Sequence, residues 1–248
     1  MEDQRKCKNC GSAISAKFCP ECGQRTKLGR LSVKEILSEF LSSVFNIDAP
    51  FPKTLSRMFF KPHLIIKEFI EGRRKSYYAP VKYMVLCLFL NLLLGEIVGF
   101  DPIENQRSMD SRTLDEQSRL GYQAGEFLSK YLNYFLFILP FSMAVVAKIF
   151  FWKSKYNFAE RTALGFYLAG QFIVISIVPI LLSRLEPRLF HLMFPLSILY
   201  FTYAIYNFFG MPSKLGRLFL SLLTAFFSFF GYIFTAYLIA LFIILNWS

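Results

Sequence analysis

Two pairs of cysteines, Cys7-Lys8-Asn9-Cys10 and Cys19-Pro20-Glu21-Cys22, fall within the first 22 residues of the chain. Brought together by a short hairpin, such pairs place four thiolates at the corners of a tetrahedron, the arrangement zinc prefers. Gly11 and Gly23 follow the second cysteine of each pair, where positive φ and close approach of backbone to sulfur call for glycine. A segment this short cannot bury a hydrophobic core, so a bound metal has to supply most of its folding free energy. The spacing therefore predicts a zinc ribbon over residues 1–27, with Cys7, Cys10, Cys19 and Cys22 as ligands and Zn2+ as a structural cofactor. The competing readings are two disulfides in a secreted mini-domain, or free thiols. A reducing compartment for this end of the chain argues against disulfides. Four thiolates also leave no coordination position open for catalysis.

The rest of the chain is constrained by its apolar residues. Of 248 residues 54% are hydrophobic, and the excess lies beyond residue 79 in blocks of about twenty, the length of a transmembrane helix. Five spans are expected, at 81–100, 127–152, 163–182, 189–209 and 218–247. The last is long enough that it should tilt, bend or begin along the surface. Pro140, Pro179 and Pro195 fall inside three spans and should kink them. Gly165 and Gly170 read as points of close helix packing. The expected fold is an all-α integral membrane protein, a kinked bundle of five transmembrane helices with a small N-terminal zinc ribbon and juxtamembrane amphipathic helices over 28–79.

Three amphipathic pieces are expected in that juxtamembrane stretch. Ser32 and Glu35 form a capping box at the start of a helix whose apolar stripe runs from Val33 to Phe45. A second piece covers Thr54–Phe60. A third starts at Pro62, runs to Glu71, and closes at Gly72 before Arg73-Arg74-Lys75-Ser76-Tyr77-Tyr78. They are expected to lie along the interface with cations and aromatics at headgroup depth. The alternative is that they pack on one another as a small soluble subdomain. Arg73, Arg74, Lys75 and Lys82 are the candidate contacts to lipid headgroups.

The charge distribution predicts an orientation. Of the formal net charge of +11, +7 lies before residue 80. With the N-terminus in the cytoplasm, 22 Lys and Arg fall on the inner side and six on the outer, as the positive-inside rule requires. Five spans then leave the C-terminus outside. Nucleic acid is the competing partner for a basic segment, but no Arg/Lys-rich helix with interleaved aromatics stands free of the membrane. Met1–Gly11 is polar and charged, unlike a signal peptide.

Phe18-Cys19-Pro20-Glu21-Cys22-Gly23-Gln24, together with Pro62 through Glu68-Phe69-Ile70-Glu71-Gly72-Arg73-Arg74-Lys75-Ser76-Tyr77-Tyr78, resembles a bacterial domain-of-unknown-function family of polytopic membrane proteins with an N-terminal zinc ribbon. The resemblance covers about the first hundred residues. It implies the architecture and a bacterial inner membrane, and implies no activity.

No catalytic constellation is legible. His63 and His191 are 128 residues apart with no ligand-spaced neighbour, and no P-loop, dinucleotide fingerprint or nucleophile elbow occurs. Ionisable and polar groups within spans are costly and draw attention: Asn91, Glu96, Lys148, Gln171 and Asn207. Structural hydrogen bonding is the first expectation for the neutral ones. A transport or lipid-handling pathway through the kinked bundle is the alternative, and it requires Glu96 and Gln171 to converge on one cavity. The favoured expectation is a zinc-ribbon platform at the cytoplasmic face of the membrane, in contact with lipid and with a protein partner or a second copy of the chain.

Overall fold

The computed structural model describes residues 5–14, 16–26, 32, 34, 51–99, 116–183 and 185–247. The helix expected from the Ser32 capping box, and the acidic loop after the first span, lie largely outside these residues.

The ribbon consists of strands β1 (Arg5–Lys6) and β2 (Ala13–Ile14), which pair antiparallel with Arg5 opposite Ile14. A single bridge between Phe18 and Arg25 closes the second half. Two helices follow, α1 (Phe51–Phe60) and α2 (Pro62–Glu71). The bundle is then α3 (Pro80–Val98), α4 (Glu116–Lys130), α5 (Leu132–Phe135), α6 (Leu139–Phe150), α7 (Phe158–Leu182), α8 (Met193–Phe208) and α9 (Lys214–Trp247). Among the described residues five stretches are long and apolar enough to cross a membrane: Pro80–Val98, Leu132–Phe150, Phe158–Leu182, Arg188–Phe208 and Lys214–Asn246.

The central helix is α7. Of its apolar window 67% is buried, against 22% for α3 and 28% for α9. Small residues make this possible. A Cβ placed on Gly165 would stand 2.5 Å from the Pro140 carbonyl oxygen, and one on Gly170 would meet the Tyr83 ring at 2.6 Å. The two glycines therefore let α6 and α3 lie against α7, as the sequence suggested. Asn157 and Glu160 close a reciprocal capping box at the start of α7, each bond 2.8 Å long. Next to it Arg161, 2% exposed, donates to the carbonyls of Ala147, Phe151 and Tyr156 and to Ser154 Oγ. A buried guanidinium thus adds a second donor to the Ala147 and Phe151 carbonyls, which already accept from the Phe151 and Ser154 amides, and fixes the α6–α7 connection.

The three prolines lie within the spans Leu132–Phe150, Phe158–Leu182 and Arg188–Phe208, as expected. Pro179 lies inside an unbroken α-helix. Pro140 sits in the first turn of α6, after a 3-10 turn over Leu136–Ile138. Pro195 is in the first turn of α8, after a 3-10 segment over Pro187–Leu192. In both spans the α-helical ladder gives way to a 3-10 turn shortly before the proline, whose ring and missing N–H disfavour the α-helical bond to the preceding turn. The second span likewise begins at Leu132 rather than 127, because the helix breaks at Tyr131 (φ −109°, ψ 18°).

The amphipathic helices pack on the bundle. Ile65, Ile66, Phe69 and Met58 are buried, with the Phe69 ring 5.8 Å from that of Tyr167 on α7. Tyrosine hydroxyls from the spans donate to the carbonyls of this region: Tyr200 to Met58, Tyr203 to Phe60 and Tyr167 to Tyr78. Lys67 Nζ reaches the Asn207 carbonyl near the end of α8 at 2.8 Å. The ribbon, α1, α2, the α6–α7 connection and the start of α9 therefore gather at one end of the bundle.

Gly165→Ala should force α6 and α7 apart and lower stability by about 1–3 kcal/mol. Thermal unfolding of the detergent-solubilised protein reads this, and an unchanged midpoint would show that the close approach is not required.

Candidate metal centre and its dock

The four ribbon cysteines are brought together. Cys7 Sγ lies 3.6 Å from Cys22 Sγ, and Cys10 Sγ lies 3.5 Å from Cys19 Sγ. All four sulfurs fall within 4.8 Å of one another. A disulfide needs about 2.05 Å between sulfurs, so these are thiols. Four sulfurs about 2.3 Å from a tetrahedral ion stand about 3.8 Å apart, and the observed spacing fits that geometry. The cluster can hold a metal ion.

Each half of the site is built the same way. The amide of Gly11 donates to the Cys7 carbonyl at 2.8 Å, and that of Gly23 donates to the Cys19 carbonyl at 2.9 Å. Both glycines take positive φ, 80° and 66°. In return the amides of Cys7 and Cys19 donate to the carbonyls of Ser12 and Gln24. Cys7 and Cys19 are buried while Cys10 is exposed.

The electrostatics favour thiolates unevenly. Ser12 Oγ lies 2.9 Å from Cys10 Sγ and 3.1 Å from Cys19 Sγ, and its hydroxyl lowers both thiols, Cys19 to about 6. Burial pushes Cys22 up to about 11. A cation between the four sulfurs would offset that burial cost and release the proton.

The ribbon does not hang free. Gln24, 3% exposed, donates through Nε2 to the Gly72 carbonyl and accepts from the Lys75 amide at 3.1 Å. Asn9, inside the first cysteine pair, accepts through Oδ1 from the Ser76 amide at 3.0 Å and from Ser76 Oγ at 2.7 Å. Two side chains of the metal loop thus clasp the turn that joins α2 to α3. Gly72 makes that turn with φ 121°. Gln24 closes the Phe18–Gln24 motif that carries the family resemblance, whereas Asn9 did not stand out beyond its place between Cys7 and Cys10.

The other candidates are dispersed. Arg73 pairs with Glu68 at 3.4 Å and is about half exposed. Arg74 is half-buried, Lys75 is exposed, and Lys82 lies 5.8 Å over the Tyr78 ring. Gln171 is fully buried and accepts from Tyr83 OH at 2.6 Å. Asn91 donates to the Ile173 carbonyl and to Ser176 Oγ, each at 3.3 Å. Asn207 Nδ2 returns to the Tyr203 carbonyl of its own helix. Glu96 and Lys148 are exposed. Glu96 therefore does not meet Gln171, as the pathway reading required. The neutral groups bond within and between helices.

Residues 48–91 match the model of a family described as a protein of unknown function (DUF3667). The matched stretch takes in α1, α2, the clasped turn and the first part of α3. It begins beyond the ribbon. No curated protein and no solved structure matches the chain.

The purified protein should carry one divalent metal ion per chain by elemental analysis, and Cys19→Ser should reduce it to background. Full metal content in that variant would remove the four-thiolate site.

Proposed function

We propose that this chain is a membrane-anchored zinc-ribbon platform of a bacterial inner membrane, with the ribbon in the cytoplasm and the C-terminus outside. The ion is zinc, because four thiolates at tetrahedral spacing suit a soft-tolerant cation that has no preferred d-electron geometry. Its role is structural. The five spans anchor and orient the ribbon end, which presents a protein-binding surface.

One observation carries this reading: Asn9 and Gln24 tie the metal loop to the turn between α2 and α3. A ribbon on a free tether would report only its own folding. A ribbon bonded to the backbone of a membrane-proximal turn has a fixed orientation, which a platform needs. The charge asymmetry supports the cytoplasmic placement, since 22 of the 28 Lys and Arg fall on the ribbon side of the spans.

The dock is tested by combining Asn9→Ala with Gln24→Ala. Metal content should be retained, while trypsin cleavage after Arg73, Arg74 or Lys75 should become several-fold faster. A turn equally protected without the clasp would show that the ribbon does not hold it. The platform itself is tested by gentle detergent extraction from native membranes. Proteins that co-purify with the intact chain, and are lost with Cys19→Ser plus Cys22→Ser, are expected. A stoichiometric lipid and no protein would overturn the platform and favour lipid handling.

A further inference from the structure

The α1–α2 corner presents three large apolar side chains to its surroundings. Phe59 is 43% exposed, Phe60 75% and Leu64 43%. The inward face of the corner is already filled by Met58, Ile65 and Ile66, none more than 1% exposed. Among the described residues the outer three are left uncovered. Contiguous exposed aromatics on a small helical corner mark a site that something else covers.

The place of the corner says what covers it. The Phe60 carbonyl accepts from Tyr203 OH at 2.8 Å, and the His63 ring lies 6.2 Å from that of Tyr203. Tyr203 is inside the span: α8 continues to Phe208, about 8 Å farther along the axis at about 1.5 Å per residue. The corner thus sits beside the end of the span rather than beyond it. On α8 the residues Leu196, Leu199 and Tyr203 are each more than 40% exposed. Their spacing of three or four gives one outward stripe along the helix, and Phe60 extends it.

Charge completes the match. No acidic residue occurs between Pro50 and Ile66, while Lys53, Arg57 and Lys61 recur every fourth residue and are exposed. Arg57 donates to Tyr77 OH at 2.7 Å, and Lys53 Nζ lies 5.5 Å over the same ring. Tyr77 stands three residues before the first apolar span, which begins at Pro80. Phe60 follows Arg57 by three residues and Lys53 by seven, so on α1 the cations and this aromatic share one outward face. Long cationic side chains beside an exposed ring can reach phosphates while the ring stays among acyl chains.

We propose that the α1–α2 corner is seated in the leaflet on the ribbon side, with Phe59, Phe60 and Leu64 among acyl chains and Lys53, Arg57 and Lys61 at the phosphates of anionic phospholipids. This rests on the membrane-anchored reading above. It adds Lys53, Arg57 and Lys61 to the candidate headgroup contacts, on the amphipathic pieces expected at the interface from the sequence.

The test uses the full chain with both native tryptophans replaced (Trp152→Phe, Trp247→Phe) and one new tryptophan, Phe60→Trp or Phe18→Trp. Phe18 is a ribbon side chain, 53% exposed, and serves as the comparison. Each protein is placed in nanodiscs of phosphatidylethanolamine and phosphatidylglycerol. Lipids brominated near the top of the acyl chain should quench residue 60 several-fold more than residue 18, and acrylamide should do the reverse. Should Phe60→Trp not fold, Phe59→Trp reads the same depth. Acrylamide quenching at residue 60 equal to that at residue 18, with no effect of bromine, would place the corner in water and overturn the proposal. That result would leave the ribbon dock standing, which the protease assay reads separately. In a second measurement, native mass spectrometry of Lys53→Gln, Arg57→Gln, Lys61→Gln protein should show several-fold less retained phosphatidylglycerol than wild type. Equal retention would overturn the headgroup assignment.

Discussion

Asn9 and Gln24 hold the arrangement together. A ribbon of two-residue strands has no core, and its order depends on what binds its four sulfurs. Its orientation depends on four hydrogen bonds from two side chains to the backbone of Gly72, Lys75 and Ser76 and to the Ser76 hydroxyl. Those bonds are made only if the cysteine loops keep their shape, because Asn9 lies between Cys7 and Cys10, and Gln24 follows Cys22-Gly23. Cysteine cluster, loop and the turn between α2 and α3 form one chain of dependence.

The turn is in turn held by the bundle. Tyr167 on α7 donates to the Tyr78 carbonyl and Thr54 Oγ1 on α1 accepts from the Tyr78 amide. Phe69 on α2 packs on Tyr167. The ribbon is thereby connected to the central helix through a few buried, fully bonded groups. Within an apolar bundle such groups are costly when unpaired, and this favours one arrangement of α1, α2 and the turn over a range of looser ones.

Much of this was legible in the sequence, and the limits have physical causes. The cysteine pairs and the five apolar blocks announce themselves, since a thiolate cluster and a bilayer each demand a residue pattern within a short window. Gly165 and Gly170 were legible for a related reason, as only a missing side chain admits Pro140 and Tyr83 so closely. The dock was not legible. Asn9 and Gln24 bind backbone groups 48 to 67 residues away, and backbone groups leave no mark in the sequence. The stripe of Ile65, Ile66 and Phe69 showed that α2 would bury one face, but a stripe does not say whether protein or lipid receives it. Pro140 and Pro195 were legible as breaks in the α-helical ladder, but the 3-10 form of each break, over Leu136–Ile138 and Pro187–Leu192, depends on the local backbone and was not.

The central claim is that four thiolates organise the ribbon around one metal ion. X-ray absorption at the metal edge of the full-length protein tests it most directly. The account requires four sulfur neighbours at about 2.3 Å and no oxygen or nitrogen ligand. A first shell containing water or imidazole, or protein that retains its dock with no metal bound, would contradict it.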